Sequence, residues 1–278
     1  MQNNDDFIQI IFSFLKKAGK IALLSQNSLT ADKKEDDTIV TGADMTISRL
    51  FQKTIGKFLD TEEHNLLDEE NLPDINNFFS KKTRFLWTLD PIDGTTTYYH
   101  KLPLWAIGVS LYKDFKPYIG AIYVPTSKEL TYTDGKKSYY VSDVFTRNEI
   151  RSEIRLQKKS LTKQSVILQH KSSINEEKKL AYTVLDLYSS YIMGFYTLTG
   201  RSSAVFFNKP MKLWDITATL PIARSLGLRF TDLESGKEVE CLTENLINKK
   251  WLLNSTYLMC QDHNFGEISE LWKAREEK

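Results

Sequence analysis

The chain has 278 residues, 41% of them hydrophobic, which is enough apolar material to bury a large core. Its 37 basic and 36 acidic residues leave a net charge of +1, so no overall field attracts nucleic acid or an anionic membrane. Cys241 and Cys260 are too few for a disulfide scaffold, which favours a reducing compartment and predicts a cytoplasmic protein.

The N-terminal part of the sequence predicts two helices followed by a run of strands. Apolar positions at helical spacing predict helices over residues 7–25 and 46–59, and acidic residues before the first apolar run argue against a signal peptide. No apolar run approaches the ~20 residues that span a bilayer. From residue 85 the period changes, and we predict strands at 85–89, 104–111, 117–124, 129–133 and 137–141.

The second half of the sequence alternates strands with helices. Strands are predicted at 165–169, 204–207, 228–232 and 251–259, and helices at 174–187, 216–226 and 266–275. This alternation predicts an α/β layer arrangement. We expect one domain over residues 1–278, with a soft subdomain boundary near 140–165.

The most informative stretch is FLWTLDPIDGTTT at residues 85–97, where an apolar strand ends in two carboxylates. Pro91 biases Asp90 to extended geometry, and the carbonyl of Ile92 can turn towards Asp90 and Asp93. Three hard oxygen ligands with no His or Cys among them favour Mg²⁺ over zinc. Gly94 permits a close backbone approach, and a helix starting at Thr95 would direct free N–H groups at an anion. The stretch therefore predicts a metal site beside a phosphate cradle.

Each acidic position also has a plain structural explanation. Asp90 and Asp93 could form an Asp-Pro turn, Asp44 and Asp215 could cap helices, and Glu69 could belong to a solvated loop after the apolar Leu66-Leu67. Against this, two carboxylates held together without a cation repel each other and raise one pKa. A divalent metal removes that repulsion. Trp214, next to Asp215, is either a core residue or a wall of the site.

Taken in chain order, four segments resemble the inositol monophosphatase family of metal-dependent, lithium-sensitive phosphomonoesterases. The resemblance covers residues of about 7–232, with residues 34–37 matching the charged lead-in of relatives and residues 102–106 matching the segment after the metal loop. The four segments are Val40-Thr41-Gly42-Ala43-Asp44, Asp68-Glu69-Glu70, Asp90-Pro91-Ile92-Asp93-Gly94-Thr95-Thr96 and Trp214-Asp215-Ile216-Thr217-Ala218.

The resemblance implies a fold and a metal site. The fold would be a layered αβαβα sandwich of the sugar-phosphatase type, commonly a homodimer. Two or three Mg²⁺ ions would bind per active site, with Asp90 bridging them. Glu69 and the carbonyl of Ile92 would complete the first site. Asp93 and Asp215 would complete the second.

The resemblance also implies catalytic and substrate-binding roles. Thr95, with Asp44 as its orienting partner, would position and activate the attacking water, and Glu69 would share in catalysis. Backbone N–H groups of Gly94 and Thr95 would hold the phosphate, while Asp93 and Asp215 would border the substrate. Attack would be in line, without a covalent phosphoenzyme.

Three departures from the family pattern bear on the substrate. The Gly-Gly pair after the second motif is reduced to Gly227, and the expected Gly-Ser or Gly-Thr turn has only Tyr188-Ser189-Ser190 as its nearest counterpart. Asn208 stands where inositol-specific relatives place a substrate-binding acid, followed by Lys209. These changes spare the metal ligands but alter the surroundings of the leaving alcohol.

We therefore expect a Mg²⁺-dependent phosphatase acting on a small phosphorylated substrate such as inositol monophosphate. Adenosine 3′,5′-bisphosphate is a second substrate candidate, since Asn208 and Lys209 could accommodate a second phosphate, although Lys209 also fits a solvated loop. Histidinol phosphate is a third. A non-catalytic binding relative is the alternative from another class.

Overall fold

The computed structural model describes residues 4–28, 31–33, 39–81, 83–170 and 182–273. Short 3₁₀ turns cover Gln26–Ser28, Glu244–Leu246 and Asp262–Asn264. The helices of the described residues are α1 (Asn4–Ser25), α2 (Gly42–Leu59), α3 (Ile75–Phe78), α4 (Thr95–Tyr99), α5 (Ser190–Leu198), α6 (Trp214–Thr217), α7 (Thr219–Ser225) and α8 (Phe265–Lys273).

The strands of the described residues form a seven-stranded sheet, a five-stranded sheet and a separate antiparallel pair. The pair is β1 (Ala31–Lys33) with β2 (Ile39–Thr41). The larger sheet holds β3 (His64–Asp68), β4 (Phe85–Asp93), β5 (Ala106–Lys113), β6 (Lys116–Val124), β7 (Glu129–Thr133), β8 (Ser138–Ser142) and β9 (Ile150–Glu153). The smaller sheet holds β10 (Val166–Gln169), β11 (Thr183–Leu185), β12 (Ala204–Phe207), β13 (Arg229–Asp232) and β14 (Tyr257–Cys260).

The two sheets differ in topology. The seven strands of the larger sheet lie side by side in chain order, with β3 and β4 parallel and all later neighbours antiparallel. The smaller sheet has the order β11-β10-β12-β14-β13, in which β10 runs parallel to both of its neighbours. The chain passes from one sheet to the other between β9 and β10.

Helices and sheets stack in five layers. α1 and α2 pack on the outer face of the seven-stranded sheet, where the rings of Phe14 and Phe51 lie 4.7 Å apart. α5, α6 and α7 fill the space between the sheets, and α8 covers the outer face of the smaller sheet through Ile268. The αβαβα arrangement implied by the family resemblance is confirmed.

β4 is buried on both faces because it lies inside this stack. Trp87 and Leu89 point into the outer cluster with α1 and α2, whereas Leu86 points into the middle layer. Thr88 also faces the middle layer, where its hydroxyl lies 2.8 Å from Thr217 Oγ1 in α6. Burial on both faces explains why this strand is almost continuously apolar.

Several predicted elements are confirmed, including both N-terminal helices, the five strands of residues 85–141 and the closing helix. Others need correction. β4 does not stop at residue 89 but continues to Asp93, and α2 begins at Gly42 instead of residue 46. The predicted helix at 174–187 lies partly outside the described residues, and its described part contains the strand β11. α5 was not predicted, and the strand expected at 251–259 is only Tyr257–Cys260.

Helix α5 was missed because its sequence, SYIMGFYTL, is apolar almost all round. A helix buried between two sheets shows little amphipathic period, so the pattern that finds surface helices fails there. No helix among the described residues has the length and apolar character needed to cross a membrane. The expectation of one domain with a soft boundary near 140–165 stays a prediction.

Two glycines provide a paired test of the layer packing. A Cβ at Gly120 in β6 would lie 2.5 Å from the Ala218 carbonyl oxygen, whereas a Cβ at Gly56 in α2 would meet nothing within 4 Å. We expect Gly120→Ala to lower the free energy of unfolding by about 1–3 kcal/mol through overpacking. Gly56→Ala should raise it by about 0.5–1 kcal/mol through helix propensity. Urea denaturation measures both, and an unchanged Gly120→Ala midpoint would contradict the close approach of the two layers.

Candidate active site

A β-bulge in β4 places two carboxylates on the same face of the sheet. Asp90 pairs with Gly108 of β5, and Asp93 pairs with Ala106. Between these two pairs β4 advances by three residues while β5 advances by two. Without the bulge, residues 90 and 93 would point to opposite faces, because side chains alternate along a strand. The extra residue shifts the alternation and turns Asp93 towards the middle layer with Asp90.

Three aspartates from distant parts of the chain converge in this region. Asp90, Asp93 and Asp215 each offer a carboxylate oxygen, and these oxygens lie within 4.8 Å of one another. Asp90 and Asp93 are buried and Asp215 is half-buried. Glu69, just after β3, also belongs to this group because its carboxyl contacts that of Asp90. The parallel pairing of β3 with β4 brings Glu69 there, since the Glu69 N–H donates to the Leu89 carbonyl.

Asp90 is the least compensated of these groups. Its Oδ1 is buried and has no hydrogen-bond partner among the described residues. Burial raises the pKa of Asp90 well above its usual range, and the charges of Glu69, Asp93 and Asp215 raise it further. A buried carboxylate oxygen with nothing to bind is costly unless a cation or a proton occupies it.

Asp93 is held by the N-terminus of α5. Ser189 Oγ and the N–H of Tyr191, the latter at 2.7 Å, donate to its Oδ2. The N–H and the hydroxyl of Ser190 donate to Oδ1 at 3.2 and 2.6 Å. Burial raises the pKa of Asp93, and these hydrogen bonds oppose the rise. A carboxylate has about four lone-pair positions, so a metal must displace one of these donors to bind Asp93.

Asp215 lies in the first turn of α6 and does not act as its N-cap. The cap position is Leu213, and Asp215 Oδ2 instead accepts a hydrogen bond from the N–H of Lys212 at 2.8 Å. Burial raises the pKa of Asp215 well above its usual range, with a further rise from Asp93. Trp214 is buried in the core between the sheets, near Trp251. Of the two roles considered for Trp214, core residue or wall of the site, the structure supports the first.

Asp44 sits at the start of α2, but as its third residue. Thr41 is the cap, and both its N–H and its hydroxyl donate to Asp44 Oδ2, at 2.8 and 2.6 Å. This explains Asp44 structurally. Burial nevertheless raises the pKa of Asp44 to about 7, and the charges of Glu69 and Glu70 contribute to the rise, so Asp44 lies within electrostatic reach of Glu69.

The residues after Asp93 form a tight turn into α4. Gly94 has φ +87, and a Cβ there would lie 2.8 Å from the Leu104 carbonyl oxygen and 3.0 Å from Ser189 Cβ, so only glycine fits. Thr95 Oγ1 donates to the carbonyl of Ile92 at 3.1 Å. Among the hydrogen bonds of the described residues, Thr95 is therefore paired with Ile92 and not with Asp44.

Sequence reasoning missed the three residues that hold Asp93, except that residues 188–190 were noted as a possible counterpart of a family turn. Tyr188 takes a positive φ of 54, the conformation that favours the glycine of that turn. Asn208 donates to the carbonyl of His170 at 2.7 Å, and Lys209 forms an exposed ion pair with Glu234. The charged segment 34–37 lies outside the described residues.

The residues present fit Mg²⁺. The donors are carboxylates, with no His or Cys in the group of Asp90, Asp93 and Asp215, and hard oxygen donors suit Mg²⁺. The partnerless Asp90 Oδ1 and the raised pKa values show buried carboxyl groups whose charge a divalent cation would stabilise.

A model of the inositol monophosphatase family matches residues 3–273. The chain belongs to the inositol monophosphatase family. A fructose-1,6-bisphosphatase/inositol-1-monophosphatase of Thermotoga maritima is 25% identical over 266 residues, which are 95% of this chain and 98% of the relative. A 3′(2′),5′-bisphosphate nucleotidase, CysQ, of Aggregatibacter actinomycetemcomitans is 31% identical over 119 residues, or 42% and 43% of the two chains.

The fold agrees with that membership. The structure of an IMPase/NADP phosphatase complexed with Mg²⁺ and phosphate superposes with a TM-score of 0.74 at 19% identity, covering 96% of this chain and 95% of the other. This chain is thus a phosphatase of the inositol monophosphatase family, a phosphoric monoester hydrolase. The relatives span several substrates, so membership fixes the reaction type but not the substrate.

The raised pKa values predict how pH changes the stability of the metal-free protein. Each folded-state pKa lies above the unfolded value of about 3.9, so the folded protein binds more protons between that value and its own pKa. Stability should therefore fall as pH rises from about 4 through about 7, the value for Asp44, and further for Asp90 and Asp215. Millimolar Mg²⁺ should raise the thermal midpoint more at about pH 8 than at about pH 5, because protons compete with the metal. A shift that is equal at both pH values would argue against carboxylate binding.

Replacing Asp90 separates a functional carboxylate from a structural one. We expect Asp90→Asn to lower turnover by more than about 100-fold while leaving the metal-free protein at least as stable as the wild type, because an uncompensated charge is removed. Asp68→Asn is the matched control, because Asp68 is equally buried but accepts hydrogen bonds from Ser48 at 2.5 Å and Gln52 at 3.0 Å. Asp68→Asn should lower the thermal midpoint. Destabilisation of both variants alike would make Asp90 a structural residue.

Proposed function

We propose that this chain is a Mg²⁺-dependent phosphomonoesterase that hydrolyses a small phosphorylated polyol such as inositol monophosphate. The observation that carries the proposal is the convergence of Asp90, Asp93 and Asp215, with Glu69 beside them, in a family of metal-dependent phosphatases. A purely binding role is disfavoured, since crowded buried acids cost stability unless a ligand offsets their charge.

The carboxylates divide into two sets around Asp90. In this proposal Asp90 would hold the ions together with Glu69 and the carbonyl of Ile92 on one side and with Asp93 and Asp215 on the other, for two or three Mg²⁺ per site. When bound, Mg²⁺ lowers the pKa of a coordinated water and offsets charge on the phosphate oxygens. The hydrogen bonds from α5 and from Lys212 supply the orientation that ligating carboxylates need.

Thr95 and Asp44 are the residues we assign to the water. The Thr95 hydroxyl already points at the Ile92 carbonyl, and rotation about its side chain would let it hold the attacking water instead. The raised pKa of Asp44, about 7, suits a group that accepts and releases a proton near neutrality. Water oxygen then bonds to phosphorus in line as the ester P–O bond breaks, and a proton passes to the departing alkoxide.

The phosphate contacts fall to the turn between β4 and α4. Gly94 brings the backbone close, and the N–H groups of Gly94 and Thr95 lie where α4 begins, so they are available to phosphate oxygens. Asp93 and Asp215 border the same space from the metal side and would contact the substrate there.

A nucleoside 3′,5′-bisphosphate is a second candidate substrate, and one observation favours it. Tyr188 is 57% exposed, its ring meets the His170 ring edge-on at 6.2 Å, and it directly precedes Ser189, which hydrogen-bonds Asp93, so a largely exposed aromatic ring adjoins a residue of the acidic group in the chain. Such a ring offers a surface on which a nucleobase can stack. Lys209 supports this candidate less than expected, because it pairs with Glu234.

A phosphate-release panel tests the substrate and the metal requirement together. We expect inositol 1-phosphate to be hydrolysed with Mg²⁺ and not with EDTA, and adenosine 3′,5′-bisphosphate and histidinol phosphate to be poorer substrates. Tyr188→Ala should leave inositol 1-phosphate hydrolysis unchanged. If the bisphosphate is the better substrate and Tyr188→Ala raises its KM selectively, the nucleotidase candidate replaces the first.

Family resemblance also underlies two further parts of the proposal. Lithium should inhibit phosphate release, as in lithium-sensitive members of the family. The chain should form a homodimer, which light scattering on purified protein measures directly. A cytoplasmic location stays a prediction.

A further inference from the structure

Tyr191, the second residue of α5, is fully buried beside the three aspartates. It takes part in no step assigned above. Its backbone N–H contacts Asp93, its hydroxyl contacts the helix that carries Asp215, and its ring packs beside the strand partner of Asp90.

The first link is to Asp93. The N–H of Tyr191 donates to Asp93 Oδ2 at 2.7 Å, the shorter of the two backbone hydrogen bonds that this carboxylate accepts. Any movement of Tyr191 along the helix axis therefore moves a donor on which Asp93 depends.

The second link is to Asp215. The Tyr191 hydroxyl donates to the carbonyl of Trp214, the residue directly before Asp215. It also lies 3.4 Å from the backbone N of Ala218, at the end of α6. The hydroxyl thus holds the short helix that carries Asp215, and burial keeps it protonated as a donor because its pKa lies well above the usual range.

The third link is to Asp90. The ring of Tyr191 occupies the space beside Gly108, where a Cβ would lie only 1.9 Å from ring atom Cε2. Gly108 is the register partner of Asp90 across the β4–β5 pairing. The ring therefore sets how closely α5 approaches the strand pair at the position of Asp90.

We propose that Tyr191 is a positioning residue that fixes the mutual distances of Asp90, Asp93 and Asp215, and hence the affinity of the site for Mg²⁺. Packing alone does not explain it, because phenylalanine would fill the same volume without a hydroxyl to satisfy. Mg²⁺ demands near-ideal octahedral geometry, so small shifts among its ligands weaken binding. The proposal rests on the metal-dependent function proposed above.

The test compares Tyr191→Phe with Tyr98→Phe. Tyr98 is also fully buried, and its hydroxyl donates to the Ala22 carbonyl in α1 at 2.7 Å, so both variants lose a buried hydrogen bond to a backbone carbonyl. The acceptor of Tyr98 lies on α1, which carries none of the three aspartates. Both variants should lower the thermal midpoint of the metal-free protein. Calorimetric titration with Mg²⁺ should show Kd raised about 10-fold or more for Tyr191→Phe and unchanged for Tyr98→Phe. Phosphate release by Tyr191→Phe should recover as Mg²⁺ is raised.

Each result has a definite reading. Equal Kd values for the two variants, with wild-type protein binding Mg²⁺, would overturn the positioning role and leave the proposed function standing. Wild-type protein that neither binds Mg²⁺ nor needs it for hydrolysis would overturn both. Should Tyr191→Phe fail to fold, Gly108→Ala displaces the ring while keeping the hydroxyl, and an unchanged Mg²⁺ Kd in that variant would equally overturn the role.

Discussion

Crowded negative charge is the constraint on which the rest of this structure depends. Two unit charges about 4 Å apart interact with about 4 kcal/mol at an effective dielectric of 20, and three aspartates share a pocket of that size. Repulsion on this scale rivals the whole stability of a typical domain, roughly 5–15 kcal/mol. The fold tolerates it through bound protons, donated hydrogen bonds or a divalent cation, and the partnerless oxygen of Asp90 shows that the donors alone do not suffice.

The three aspartates lie at the middle layer of the fold, which supplies the hydrogen bonds that Asp93 accepts. Asp90 and Asp93 come from the seven-stranded sheet, Asp215 comes from α6, and α5 lies against both. Because α5 presents its N-terminal donors to Asp93, the helix between the two sheets serves both as core and as a support for the site. The packing of the layers therefore also determines the geometry of the carboxylates.

Much of this could be predicted from the sequence, and the failures share a cause. The strand–acid pattern of residues 85–97 predicted the acidic group, and the family resemblance predicted its other members and the layered fold. Ser189, Ser190 and Tyr191 were not assigned a role because their contacts with Asp93 join residues nearly a hundred positions apart. The start of α2 was misplaced because the apolar positions that reveal this helix begin only at Ile47, while its cap is Thr41. Short-range patterns show which residue types are present, but only tertiary contacts show which donors meet which acceptors.

The bulge in β4 lets two carboxylates and the residues between them serve the same face of the sheet. Pro91 and Ile92 lie between the paired positions Asp90–Gly108 and Asp93–Ala106, so β4 holds one residue more than β5 over this interval. A regular strand of the same length would send Asp93 into the apolar cluster of α1 and α2. Deleting one residue would keep both carboxylates on one face without a bulge, but it would take away a backbone position such as that of Ile92, whose carbonyl accepts a hydrogen bond from Thr95 Oγ1. The extra residue thus makes room for a backbone carbonyl between two side chains that face the same way.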